Sequence, residues 1–404
     1  MPAYARREIV IGEEVGVYHC IARCVRRAFL CGVDPLTEND YEHRKQWVRQ
    51  RLEKLASVFA IDICSYAVMS NHLHVVLRVR PDLVADWSAE EVALCWKRLF
   101  PPRDPATGSP TEPSQCDVNM IVSDPERVAV IRERLSSVSW FMRCLCEPIA
   151  RRANREDQCT GRFWEGRFKS QALLDEAAIL ACSVYVDLNP VRAGVSETPE
   201  ESKHTSAFAR IQSLPRAAAA VNDGSPPRPV ESPAIGSAEQ IAPTVERRPD
   251  AWLCELTLQE GPNEIADVKS PAAVDTGDKS NLAGSLVDAE GAAAAMPVVP
   301  PFRCHPGARA SNQGYLPIPI DKYLELLDWT GRQIRGASRR AIPDHLPPIL
   351  ERLGLKSDGW VETVRRFGRW FKTAVGSRES LTALAKQRGK AWLQGRAAAA
   401  LAFR

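Results

Sequence analysis

The chain has 404 residues, room for two or three domains at roughly 100 to 200 residues each. Lys plus Arg total 53 and Asp plus Glu 50, a net charge of +3, so overall charge identifies no polyanionic partner. No run approaches the roughly 18 to 20 apolar residues of a membrane span, and Arg6, Arg7, Glu8, Glu13 and Glu14 interrupt any secretory leader; a soluble, cytoplasmic chain with no membrane partner is expected.

In chain order, Gly16 to Leu30 (GVYHCIARCVRRAFL) mixes β-branched, aromatic and alternating polar residues and predicts a strand. From Thr37 the charged, 3.6-period pattern of TENDYEHRKQWVRQRLEKLASVFA predicts an amphipathic helix. Ile61 to Met69 and His72 to Val79 are β-rich runs split by Ser70-Asn71, a hairpin of two antiparallel strands. Ser88 and Glu91 have capping-box spacing ahead of a helix ending near Leu99. After a Pro-rich insertion at Pro101 to Gln115, Asp124 to Asn154 predicts one or two helices, with Pro148 kinking the second or marking its start. Phe163 to Leu173 reads as extended. Asp175 to Leu188 then reads as an apolar helix with acids at its start, stopped by Asn189-Pro190.

Beyond Val195 the composition changes. From Val221 to Pro300 there are 13 acidic residues against 5 basic ones, among many Ala, Pro, Gly and Ser. Such a segment buries too little apolar surface to offset the entropy of ordering, and a disordered linker is expected. Asp321 to Arg404 reverses the sign, with 17 basic residues against 8 acidic, and its Trp329, Trp360, Trp370 and Trp392 predict a small helical module. Arg339, Arg340, Arg365, Arg366, Arg369 and Lys372 make it a candidate auxiliary DNA-binding unit. The twelve cysteines form no C-x-x-C pair and mostly sit in apolar runs, which favours buried, reduced thiols over a zinc site or a disulfide framework.

Three strings carry chemistry. In Asn71-His72-Leu73-His74 the histidines are two apart on a strand, so both imidazoles lie on one face and can share a divalent metal. In Tyr185-Val186-Asp187-Leu188-Asn189-Pro190-Val191-Arg192 a phenol and an amide lie four apart, one turn of helix. In CTGRFWEGRFKS, from Cys159 to Ser170, the cations Arg162, Arg167 and Lys169 alternate with Phe163, Trp164 and Phe168. Cations for phosphates and rings for bases are what a nucleic-acid surface needs. Arg143, Arg151, Arg152 and Arg155 lie just upstream.

Taken together, HxH on a strand, GRFWEGRFKS and a helix carrying YVDLNPVRAGV, in that order, resemble the single-tyrosine HUH transposases, in particular the REP-associated tyrosine transposases of bacteria. The opening YHCIARCVRRAFL resembles the family's first strand and SYAVMSNHLHVVL its metal-binding hairpin; the likeness spans roughly Tyr18 to Val195. It implies an α+β fold, with a ferredoxin-like antiparallel sheet and helices on it. The expected division is then residues 1–200 as the transposase domain, 201–315 as the acidic linker and 316–404 as the helical C-terminal module.

The resemblance also implies roles. His72 and His74 would be the histidine ligands of Mg²⁺ or Mn²⁺, Asn189 the third ligand, and Tyr185 the nucleophile. Asn189 departs from the Gln used there by some insertion-sequence relatives. The implied substrate is single-stranded DNA forming hairpins from palindromic repeats, contacted by Arg23, Arg151, Arg152, Arg162, Trp164, Arg167, Lys169 and Arg192. A nucleoid-associated location and a homodimer are compatible with this reading. Two alternatives compete with it. One is a non-catalytic DNA-binding regulator that keeps the fold. The other is a two-histidine phosphoesterase, which needs a second His-x-Thr/Ser string; the chain offers only His204-Thr205, with the wrong spacing.

Overall fold

The computed structural model describes residues 14–25, 30–34, 38–214, 248–258, 308–335 and 346–403. Its first half runs β1 (Gly16–Arg23), α1 (Arg44–Ala56), β2 (Ile61–Val68), β3 (His72–Val79), α2 (Pro81–Ala85), α3 (Ala89–Leu99), α4 (Gln115–Val122), α5 (Pro125–Leu135), α6 (Val138–Glu156) and β4 (Lys169–Leu173). After these come α7 (Glu176–Asp187), α8 (Asn189–Arg192), α9 (Ser206–Ser213), α10 (Ile320–Arg335), α11 (Leu346–Arg352), α12 (Trp360–Trp370), β5 (Ala374–Val375), α13 (Arg378–Gln387) and α14 (Arg396–Ala402).

The sheet order is β2-β3-β1-β4-β5. The first four strands are antiparallel to their neighbours, in the arrangement expected of a ferredoxin-like sheet. The fifth departs from the antiparallel expectation: β5 lies parallel to β4, pairing Ala172 with Ala374 and Leu173 with Val375. Such a short strand at an edge covers open backbone groups on β4.

Local chemistry explains most element ends. Ser88 and Glu91 form the expected capping box on α3, and Asp175 caps α7 by accepting from the Ala178 amide. The helix expected from Thr37 starts at Arg44. Pro148 neither breaks nor starts α6, which runs through it for 19 residues. Every α7 residue from Ala177 to Asp187 is buried, the mark of a helix enclosed on all sides rather than lying on a surface.

The enclosing layers are the sheet and the C-terminal region. On one side, Tyr185 of α7 meets the sheet face that carries His19 and His74. Beside α7, α12 buries Trp360, Thr363, Val364 and Phe367, the i, i+3, i+4, i+7 stripe of an amphipathic helix, and its Phe367 ring meets both Tyr185 and His19. Ala22 alternates to the opposite sheet face from His19, and there it lines a groove with Trp140 and Met142 of α6.

All described residues belong to one compact unit, the C-terminal helices included. Parts of 201–315 also join the core: α9 packs on β2, Trp252 and Tyr315 are buried, and the Thr257 backbone pairs with that of Leu316 at the start of the next segment. Trp252, Leu253 and Tyr315 supply the apolar anchors that average composition hides. The remainder of that segment lies outside the described residues, as do Arg339 and Arg340.

Buried polar groups fasten these returning segments. Asp62 of β2 accepts from Arg78 Nε and Nη2 at 2.9 and 2.8 Å and from the Ser311 amide and hydroxyl at 2.9 Å each. Arg78 also donates to the carbonyls of Gln313 and Gly314. Asp187, fully buried at the end of α7, accepts from Tyr323 of α10 at 2.6 Å, from the Ala207 amide at 3.1 Å and from the Ser206 hydroxyl. Most described cysteines, such as Cys20, Cys64 and Cys182, are buried free thiols. Cys95 is disulfide-bonded, so the expectation of reduced thiols does not extend to it. Among the described residues no helix is long and apolar enough to cross a membrane.

Candidate active site

Strand alternation puts His72 and His74 on one face of β3, with ring centroids 4.8 Å apart and planes at 73°. His72 opens the strand opposite Arg23, and its Nδ1 lies 2.6 Å from Asn71 Oδ1. His74 is only 2% exposed. From the other direction α7 delivers Tyr185, whose ring centroid is 5.7 Å from that of His74. The sheet hairpin and the distant helix therefore meet at these rings.

Sequence reading missed a third imidazole. His19 of β1 lies diagonally across from His74, with its Nε2 2.8 Å from His74 Nδ1 and its ring 5.1 Å away, nearly parallel. Directly opposite His19 on β4 is Gln171, whose Oε1 is 2.8 Å from His19 Nδ1. Gln171 Nε2 in turn donates to the carbonyl of Phe371 at 2.7 Å. His19 stood in plain view in YHCIARCV, but only the β1–β3 and β1–β4 registers reveal its partners.

Burial sets the charge state of this face. Desolvation pulls His19 and His72 down to about 4, assisted at His19 by His72 and at His72 by Arg23. His74 also falls well below the usual histidine value, from burial first and then the neighbouring His19, His72 and Arg192. At neutral pH all three rings are therefore uncharged, the state in which imidazole ligates metal.

The donor set can be tested for a metal on its orphaned atoms. His74 Nε2 is buried with no hydrogen-bond partner, and so is Asn189 Nδ2. Asn189 is 7% exposed and opens α8, with Leu188 between it and the end of α7, instead of lying on the same helix as Tyr185. Among the described residues no group of three or more His, Cys, Asp or Glu side chains is assembled for a metal ion. The bare His74 Nε2 beside the His72 ring fits an ion held weakly that takes its remaining ligands from substrate oxygens, and Asn189 could add only its amide oxygen, since an amide NH₂ donates hydrogen bonds and does not ligate metal. Asp62 is taken up by Arg78 and contributes no carboxylate.

Tyr185 is 9% exposed. Phe367 of α12 stacks on its ring at 5.0 Å and 29°, and the Arg192 guanidinium lies 4.5 Å over the same ring. α12 also runs close at Gly368, where a Cβ would stand 2.9 Å from the Tyr185 hydroxyl. Arg192 also donates to the Arg365 carbonyl, so two sequence-distant segments hold it beside the phenol.

The other expected DNA contacts divide into two sets. Arg23, Arg162, Arg167 and Lys169 are exposed, and Trp164 pairs its backbone with Cys24 beside Arg23 while its indole donates to the Cys146 carbonyl. Arg143, Trp140, Trp164, Arg167 and Phe168 border the groove on the second sheet face, about 380 Å³ in volume. Arg151 and Arg152 are engaged elsewhere, the first with Glu147 and the second over the Trp47 ring at 3.8 Å. In the C-terminal region Arg365 and Arg366 both pair with Glu362, and Lys372 donates to the Gly368 carbonyl.

No family of known proteins matches this chain, and no curated protein does. A solved structure described as "Structure of the REP associates tyrosine transposase bound to a REP hairpin" is similar over 52% of this chain and 84% of its own, at 15% identity and a TM-score of 0.30. Similarity at that level says nothing of activity, and the functional reading rests on the site itself.

Proposed function

We infer that the chain is a metal-dependent tyrosine DNA strand-transferase acting on single-stranded, hairpin-forming DNA. The observation that carries this reading is the closeness of the His72, His74 and Tyr185 rings together with the unpartnered, buried Nε2 of His74. Buried side-chain nitrogens usually have a hydrogen-bond partner, so this one calls for a ligand to explain it.

His72 and His74, with Asn189, would hold Mg²⁺ or Mn²⁺, which when bound would polarise a phosphoryl oxygen. Tyr185 would attack phosphorus through its phenolic oxygen. One P–O bond forms to tyrosine and one P–O bond breaks, leaving a 5′-phosphotyrosine and a free 3′ hydroxyl that takes up a proton. The bond count is conserved, so rejoining to another strand needs neither water nor ATP. Arg192, held over the tyrosine ring, is positioned to offset phosphate charge, and Arg23, Arg162, Trp164, Arg167 and Lys169 would engage the DNA strand. Arg151 and Arg152 would contribute only by leaving their present partners.

A second reading, a DNA-binding regulator without catalysis, is favoured by one observation: the phenol lies beneath Phe367 and α12. A hairpin-forming single-stranded oligonucleotide with Mn²⁺ separates the two. Wild type should form a covalent protein–DNA adduct on a denaturing gel and Tyr185→Phe should not. Adduct with both proteins places the nucleophile elsewhere, and hairpin binding without adduct supports the regulator.

A further inference from the structure

The atoms around His74 form a chain whose hydrogen positions follow from one end. The Phe371 carbonyl can only accept, so the Gln171 amide must present its NH₂ there and its oxygen to His19. That oxygen also can only accept, so His19 carries its hydrogen on Nδ1. In the neutral ring His19 Nε2 is then a lone pair facing His74 Nδ1 at 2.8 Å, and two lone pairs cannot share that distance. His74 therefore carries its hydrogen on Nδ1 and leaves Nε2 bare, the atom found buried and unpartnered.

We propose that Gln171 and His19 are positioning residues that fix the ring tautomer of His74, with the Phe371 backbone as their anchor, so that His74 Nε2 is free to bind a divalent cation. The cation itself rests on the reading of the preceding subsection; the tautomer does not. The arrangement extends the usual support of a metal-bound imidazole, whose second nitrogen donates to a carbonyl or carboxylate. Here a second imidazole and an amide stand between the ligand and that carbonyl. His72 has its own shorter support in Asn71 Oδ1.

The anchor is firm. The Phe371 side chain is fully buried, its amide is held by the Phe367 carbonyl at 3.1 Å, and the next backbone bonds, Ala172 N to Thr373 O and Leu174 N to Val375 O, join the same stretch to β4. The state of a histidine on β3 is thereby set by a residue three hundred positions away in sequence, across three strands.

The test uses the full-length, metal-free protein with ¹⁵N-labelled histidine, seven residues in all, read by long-range ¹H–¹⁵N correlation. In wild type, His19 and His74 should both be protonated at Nδ1 and bare at Nε2. Gln171→Met removes the acceptor for His19, and His74 should then appear protonated at Nε2. His19→Phe should do the same by a different route. In both variants His72 should be unchanged, which general loosening of the site would not allow. Mn²⁺ binding, followed by the paramagnetic resonance signal of the free ion, should weaken about 10- to 100-fold in the variants. A proton on His74 Nε2 in wild type, or no change in either variant, overturns the proposal. Should either variant fold poorly, the wild-type spectrum alone decides. The stated tautomers without Mn²⁺ uptake would support the relay and remove the metal reading.

Discussion

The ring of Phe367 lies on the ring of Tyr185, 5.0 Å between centroids and 29° between planes. A helix from the C-terminal region thus covers the one phenol that the active-site reading requires. With 9% of Tyr185 exposed, movement of α12 would widen a phosphate's approach to its oxygen.

Phe367→Ala should make that movement easier. Loss of a buried phenyl ring costs about 3–5 kcal/mol, so the thermal midpoint should drop while adduct formation with a hairpin oligonucleotide becomes several-fold faster. Differential scanning calorimetry and a gel time course measure the two. A slower time course at a temperature where the variant is folded would mean that α12 assists the reaction.

Asp62→Ala should damage the scaffold and spare the site. It leaves Arg78 buried to 8% exposure without its carboxylate, which costs about 3–5 kcal/mol, and it frees the Ser311 segment. Urea denaturation should show the loss. Mn²⁺ affinity in the folded protein should stay within about twofold of wild type, since Asp62 is not a ligand.

Tyr323→Phe removes one hydrogen bond to the Asp187 carboxylate and keeps the ring. Bonds to charged groups contribute about 1.5–3 kcal/mol, so the urea midpoint should fall by a corresponding amount. The adduct-forming rate should rise as well, because α10 helps hold the C-terminal helices against α7.

Stability should fall on acidification. His19 and His72 sit at about 4 in the folded protein against 6.5 when free, and His204 likewise. Their unfolded forms bind more protons below pH 6.5, so the stability present above 6.5 is lost as pH falls towards 4. For fully buried His19 alone the difference is on the order of 3 kcal/mol. Asp187, whose carboxyl is raised by burial, acts in the opposite sense. The urea midpoint should decline between pH 7 and pH 4.5, and His19→Gln should flatten that decline.

Much of the site was legible in the sequence because it depends on local periodicity. His72 and His74 share a face by strand alternation, and the Ser88–Glu91 cap forms as its spacing requires. The four antiparallel strands fall close to their predicted runs. What stayed hidden depends on register and on distant packing. His19 acquires meaning only once β1 lies between β3 and β4. Phe367 and Phe371 look like ordinary core residues of a basic module until that module folds back onto α7. The Trp252 and Tyr315 anchors were masked by the polar composition around them.

The parallel pairing of β5 with β4 has a consequence for how the protein is made. Ala172 and its partner Ala374 are about two hundred residues apart, so at about 5–20 residues per second β4 leaves the ribosome roughly 10–40 s before the strand that closes its edge. During translation the nascent sheet therefore carries an open flank, an uncovered phenol and a His19 whose amide partner lacks its carbonyl.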